Sequence, residues 1–260
     1  MTNYRTLTTI TALIAMSGVS NLWADDAPPP PPPNGVWIGK GQFGFLDSQG
    51  NSVAQSVNGN MDLSRYDGAW KNEITVSGLY GKSTGIVSAE RWEVREQTNY
   101  SFTDDWFAFG GLRYEHDLFD GFQYQASVAT GVGYKIINTD KATLTAQIGP
   151  GYRWLRPETI TQNAAGEVIS RVPLEAASEV IATAGVDFSY KFNSITTLTN
   201  KFLVEAGSDN TLLQDQLGLA VKMSTKLALT IGYGLTNNSK PPPPLKKLDT
   251  VETINLQYSF

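Results

Sequence analysis

The sequence predicts an all-β fold, an antiparallel transmembrane β-barrel of about twelve strands. Three observations predict it. From residue 36 onward apolar and polar residues alternate with period two. The alternating runs are mostly 11 to 14 residues long. Strands of soluble sheets average about 5 or 6 residues, whereas a tilted strand crossing a bilayer needs about 9 to 11. Aromatic residues gather at the ends of the runs, as they do at a membrane–water boundary.

Before the runs begin, the chain reads as an export signal and a spacer. Arg5 supplies a positive start, residues 7–19 are moderately apolar and uncharged, and Ala24 before Asp25 is an acceptable cleavage residue. Residues 1–24 are therefore expected to be a signal peptide. Residues 25–35 carry six consecutive prolines, Pro28 to Pro33, and are expected to form a stiff periplasmic spacer. Residues 36–260 are expected to form the barrel.

The expected strands are 36–47, 53–66, 70–82, 87–100, 106–116, 122–134, 142–154, 175–190, 195–206, 211–222, 226–237 and 250–260. In the sixth, Phe122, Tyr124, Ala126, Val128, Val132 and Tyr134 oppose Gln123, Gln125, Ser127, Gly131 and Gly133. In the eleventh, Leu227, Leu229, Ile231, Tyr233 and Leu235 oppose Ala228, Thr230, Gly232 and Gly234. One face suits lipid and the other suits a polar bore. The even-to-odd joints are short, while residues 155–174 and 238–249 form longer odd-to-even joints. This is the pattern of short periplasmic turns and long external loops.

Tyr66, Trp70, Tyr100, Phe102, Trp106, Tyr134, Tyr190, Phe192, Tyr258 and Phe260 lie beside the short turns. Tyr80, Trp92, Phe119, Trp154 and Tyr233 form a second girdle. The chain ends on alternating Ile254, Leu256, Tyr258 and Phe260. Tyr258 and Phe260 are expected to act as the insertion signal read by the barrel-assembly machinery.

Composition excludes several alternatives. A net charge of −5 argues against a nucleic-acid partner. The absence of cysteine removes thiol chemistry and Cys-ligated zinc. No apolar run reaches 18 residues, so helical spans are not expected. A single histidine cannot build a multi-histidine metal site. No cofactor and no metal are expected, and the partners expected are outer-membrane lipid and the assembly machinery. The protein is expected to be a monomer.

Three sets of residues could carry chemistry. Gly39-Lys40-Gly41-Gln42-Phe43-Gly44 spells a dinucleotide fingerprint, but a proline tract precedes it and a strand pattern runs through it, so it reads as barrel strand. His116 is the one candidate base for a barrel hydrolase. Its neighbours Glu115, Asp117 and Leu118 match neither a His-x-Ser nor an Asp-x-His arrangement, so no enzymatic activity is expected. The third set is the polar face. By parity Lys40, Asp62, Lys71, Glu73, Arg91, Glu93, Arg95, Arg113, Glu115, Arg153, Asp187, Lys201 and Glu205 point into the bore. Their signs interleave, so they either neutralise one another and fill a narrow barrel or line a selective pore. Gly111, Gly131, Gly133, Gly149 and Gly151 also point inward and leave a recess. Phe107 and Phe109 could fill that recess, or it could be a passage. In the last external loop, Pro241 to Pro244 with Lys246 and Lys247 read as a stiff, solvated segment.

The stretch from Phe107 to Trp154 resembles a known family. It includes Arg113-Tyr114-Glu115, Gly121, Tyr124-Gln125, Gly131-Val132-Gly133-Tyr134 and Gly149-Pro150-Gly151-Tyr152-Arg153, with Gly50-Asn51-Ser52 and Glu90-Arg91 outside it. These are similar to the salt-induced outer-membrane protein family, a bacterial barrel domain of unknown function. Gln147 departs from the acidic residue of the family pattern. The resemblance implies a Gram-negative outer-membrane barrel whose expression responds to salt or osmotic conditions. It brings no catalytic residues. Three functions follow as expectations: an occluded barrel with an envelope role, a diffusion channel for small polar or ionic solutes, and a hydrolase using His116.

Overall fold

The computed structural model describes residues 33–49, 54–163, 168–243 and 245–260. The expected signal peptide, most of the proline spacer and Gly50-Asn51-Ser52 lie outside those residues. Thirteen strands are present among the described residues: β1 (Trp37–Ser48), β2 (Ala54–Asp67), β3 (Trp70–Ser83), β4 (Ile86–Ser101), β5 (Trp106–Asp117), β6 (Phe122–Asn138), β7 (Ala142–Gln162), β8 (Val168–Pro173), β9 (Ala177–Lys191), β10 (Thr196–Ala206), β11 (Thr211–Lys222), β12 (Leu227–Asn238) and β13 (Leu248–Ser259).

Every pairing is antiparallel between sequence neighbours, save that β7 pairs both β8 and β9, and β1 returns to pair β13. Twelve strands thereby close into a barrel, and β8 stands outside it as a hairpin on the extended tip of β7. This hairpin occupies the stretch expected as a long loop after residue 154. Glu158 to Gln162 pair with Pro173 to Val168, so the segment gains backbone partners by prolonging the strand beyond the barrel.

The outside of the barrel is apolar and the inside polar. Leu112, Ile148, Val180 and Ile254 are more than half exposed on the outer face. Arg113, Glu115, Arg153, Glu205 and Gln214 are buried on the inner one. A water-soluble sheet does the reverse, and a continuous exposed apolar belt on a closed barrel marks a membrane-spanning protein. Ring residues bound the belt. On β3 they are Trp70 and Tyr80, both exposed. Ten residues at about 3.3 Å each, tilted by about 40°, span roughly 25 Å, the height of the lipid-facing band.

Two aromatics fall elsewhere. Tyr66 pairs with Lys71 on the inner face, its ring 5.7 Å from Lys71 Nζ. Phe119 lies in the β5–β6 turn under the guanidinium of Arg171, 5.4 Å away.

The joints at the β2–β3 end are all short. At the other end β3–β4 is a two-residue turn, with Thr84 (φ 50°) and Gly85 (φ 83°) both in the left-handed region of a type I′ hairpin. The length asymmetry therefore comes chiefly from β7–β9 and from the β12–β13 loop. The closing seam is short: β1 meets β13 only from Lys40–Ser259 to Phe43–Leu256, with Gly39 and Phe260 exchanging backbone hydrogen bonds at 2.9 Å. Above that, Asn58 Nδ2 donates to Asn255 Oδ1 (2.8 Å) across Gly44, where a Cβ would collide with both amides.

Candidate functional site in the bore

The inward charges fall into two groups. At the long-loop end Arg91, Glu93, Arg95, Arg113, Glu115, Arg153 and Glu205 converge, joined by Glu179. Four arginines thus face four glutamates. Arg113 Nη1 contacts Glu115 and lies 3.4 Å from Glu93, while its Nη2 donates to Glu205 at 3.1 Å. Arg91 pairs with Glu115 at 2.6 Å. Arg153, with no exposed side-chain surface, pairs with Glu179 at 2.5 Å and donates to the Asn210 carbonyl.

These contacts cross the bore. Arg113 on β5 and Ser127 on β6 reach Glu205 on β10, with Ser127 Oγ donating at 2.6 Å. Arg95 on β4 donates to Gln214 on β11, and Arg91 donates to Thr236 Oγ1 on β12 at 3.3 Å. None of these strand pairs is adjacent in the sheet. A buried charge is tolerated only when it is paired and hydrogen-bonded. Here that satisfaction is obtained from the opposite wall, so the network ties one side of the bore to the other.

A lid-like loop lies above this network. The β12–β13 loop crosses the mouth to the diametrically opposed β5–β6 turn. A Cβ at Gly121 (φ 84°) would stand 2.7 Å from Leu245 and 2.8 Å from Pro242, so only glycine admits this contact. The lid is tied to β10–β11 by Lys240 N–H donating to Asn210 Oδ1 (3.1 Å) and Asn210 Nδ2 donating to Asn238 Oδ1 (2.8 Å). Beside Gly121, Asp120 accepts from Phe122 N–H (2.9 Å) and Gln125 Nε2 (2.8 Å). Burial, then the carboxylates of Asp117 and Glu115, hold Asp120 well above the usual carboxylate range.

At the short-turn end the bore is a cavity of about 1570 Å³. Lys71, Glu73, Asp187 and Lys201 line it, and Arg95, Arg113, Glu205 and Gln214 form its floor. The charge pairs at this end are more exposed: Lys71–Glu73 at 2.8 Å, Lys40–Asp62 at 3.8 Å and Lys201–Asp62 at 3.9 Å.

The glycine recess is occupied. A Cβ on Gly133 would fall inside the ring of Phe107, and one on Gly131 would lie 2.8 Å from Phe109. Gly131 and Gly149 also bring β6 and β7 into close backbone contact, and a Cβ on Gly151 would lie 3.0 Å from Ile181. Gly111 has looser surroundings, its nearest neighbour 3.4 Å away. Gln147 exchanges amide hydrogen bonds with Gln97 at 3.0 and 3.1 Å.

His116 stands on the outer wall. Its ring is 5.9 Å from Trp92, and Nδ1 donates to the Gln123 carbonyl at 2.5 Å. No nucleophile or orienting carboxylate bonds to it among the described residues. The glycine fingerprint 39–44 lies inside β1. Gln214, Thr236 and Ser127 escaped sequence reasoning because uncharged polar residues on an inner face are unremarkable one strand at a time. Glu179 was within reach, since it shares parity with Asp187 on the same strand.

A family model described as a protein of unknown function, DUF481, matches residues 41–260. An uncharacterised Escherichia coli K12 protein, YdiY, is 23% identical over 223 residues, covering 84% of this chain and 81% of its own. Among solved structures, a NanC porin aligns over 86% of this chain and 98% of its own at 13% identity and a TM-score of 0.45. A KdgM porin aligns over 86% and 99% at 13% identity and 0.42. The translocator domain of autotransporter NalP from Neisseria meningitidis aligns over 86% and 87% at 13% identity and 0.45.

Proposed function

The chain belongs to that family of proteins of unknown function, and on this footing we propose that it is an outer-membrane barrel shut at rest, serving the cell envelope under salt or osmotic stress. The observation that carries closure is the set of bonds across the bore: Arg113 on β5 to Glu205 on β10, between side chains with almost no exposed surface, flanked by the partly exposed Arg95 and Arg91 of β4 reaching Gln214 on β11 and Thr236 on β12. The outer-membrane assignment draws on the closure of twelve strands into a barrel, with β1 returning to β13, and on the signal-like start of the sequence, which would take it through the periplasm. Tyr258 and Phe260, exposed on the terminal strand, are proposed as the insertion signal.

The stress role rests on the resemblance and on where the looser charges stand. Lys71 and Lys201 face the cavity, and Lys40 is 41% exposed near the same end, where ionic strength weakens their pairs. The buried network is screened far less.

A second reading, a diffusion channel for small polar or ionic solutes, is favoured by that cavity, which already carries the bore from the short-turn mouth to the buried network. Planar-bilayer recording separates the two. The wild type should show no steady conductance. Replacing loop 239–247 by a two-residue turn, together with Arg113→Ser and Glu205→Ser, should open a steady current. Steady current through the unaltered protein would defeat the closed reading in favour of the channel.

A further inference from the structure

The lipid-facing belt contains a polar notch at half its depth. Glu96 points outward on β4, between Ile74 and Leu112 on the flanking strands. It lies four residues from Trp92 and four from Tyr100, both exposed ring residues of the two girdles. Four residues at about 3.3 Å put roughly 13 Å of strand between this carboxyl and either boundary. Headgroups and water sit at those boundaries, and the acyl chains between them offer no hydrogen bonds.

Glu96 does not stand alone. Thr98 Oγ1 lies 2.7 Å from Glu96 Oε1 and 2.8 Å from Asn72 Oδ1. One hydroxyl proton serves one of these acceptors at a time. Glu96 Oε2 and the Asn72 amide N–H groups have no partner among the described residues. Next along the same cross-strand row come Gly110 and Thr130. A Cβ on Gly110 would meet nothing within 4 Å, and Gly110 is itself four residues from Trp106 and from Tyr114. Leu112 and Val132 stand exposed beside the opening. The surface is therefore a recess with ridges on either side, holding a spare acceptor and spare donors in a medium that cannot satisfy them.

We propose that this notch is the contact through which two copies of the chain associate in the membrane. The notch is self-complementary. About a two-fold axis, the Asn72 amide of one copy meets the Glu96 carboxyl of the other and the reverse, which is what an isologous interface requires. The space over Gly110 admits Leu112 or Val132 of the second copy, the close approach of small and apolar groups that drives association inside a bilayer. A lipid cannot take the same place, because its hydrogen-bonding groups do not reach this depth. The proposal departs from the monomer expected from sequence.

The chain contains no cysteine, so a single introduced thiol reports on one position. In outer membranes carrying Gly110→Cys, mild oxidation should give a cross-linked band at twice the chain mass. Ala184→Cys, outward on β9 on another part of the wall, should give none. Adding Glu96→Leu and Asn72→Leu to Gly110→Cys should lower the cross-link yield about tenfold, from the loss of two intramembrane hydrogen bonds. Heat-dependent gel mobility in the same samples verifies folding, and Thr130→Cys reads the same contact if Gly110→Cys does not assemble. Equal yields at positions 110 and 184, no dimer band at either 110 or 130, or adducts of a different mass would overturn the proposal.

Discussion

The two ends of the bore both carry paired charges of opposite sign and behave as different materials. At the long-loop end, arginine and glutamate are buried, multiply paired and linked across the bore. At the short-turn end, lysine pairs with aspartate or glutamate at up to 3.9 Å, with side chains a third or more exposed on the lysine side. Arginine's planar fork can serve several carboxylates at once, which suits a dry site, whereas lysine's compact ammonium stays hydrated on its stem. Solvent access, more than the number of charges, decides whether a charged wall forms a dry network or a hydrated one.

The largest test of this contrast pairs two substitutions. Arg113→Leu should destabilise the barrel by about 3–5 kcal/mol, because three glutamates lose a buried partner. Lys71→Met should change stability by less than about 1 kcal/mol, the range of an exposed pair. Urea unfolding in detergent micelles measures both. Equal effects would erase the distinction between the two ends.

A medium effect is expected at the boundary between them. Gly133→Ala drives a Cβ into the ring of Phe107 and should cost about 1–3 kcal/mol by overpacking. Phe107→Ala in the same chain should return part of that loss, read as non-additivity in the same unfolding experiment.

The smallest effect concerns the lid and its pH dependence. Asp120 titrates above its ordinary value in the folded chain. Between the unfolded and folded pKa values the folded state binds the extra proton. Stability is therefore highest below the ordinary carboxylate range and falls as pH rises through the raised value. Asp120→Asn should flatten that decline, measured as Tm against pH. An unchanged slope would remove Asp120 from the lid's energetics.

Much of this was legible in the sequence because alternation is a local signal. The inward set from Lys71 to Glu205 and the outward girdle both follow from counting by twos. What counting could not supply is which inward residues meet. Arg95 and Gln214 are 119 positions apart, and their contact exists only because the sheet closes. The recess left open by five glycines was settled by ring placement, a packing fact that parity does not carry. Tyr66 was misplaced on the girdle because proximity to a turn outweighed its parity with Asp62. The β8 hairpin was missed because residues 155–174 extend a strand past the membrane, where the lipid no longer imposes a length.

The seam between β1 and β13 joins the chain's two extremities by a pairing that runs only from Lys40–Ser259 to Phe43–Leu256. No other ladder in the tube joins residues so far apart, so this one carries the largest loop-closure cost. The joint that is costliest in chain entropy to close is thus also the one with the fewest rungs to unfasten.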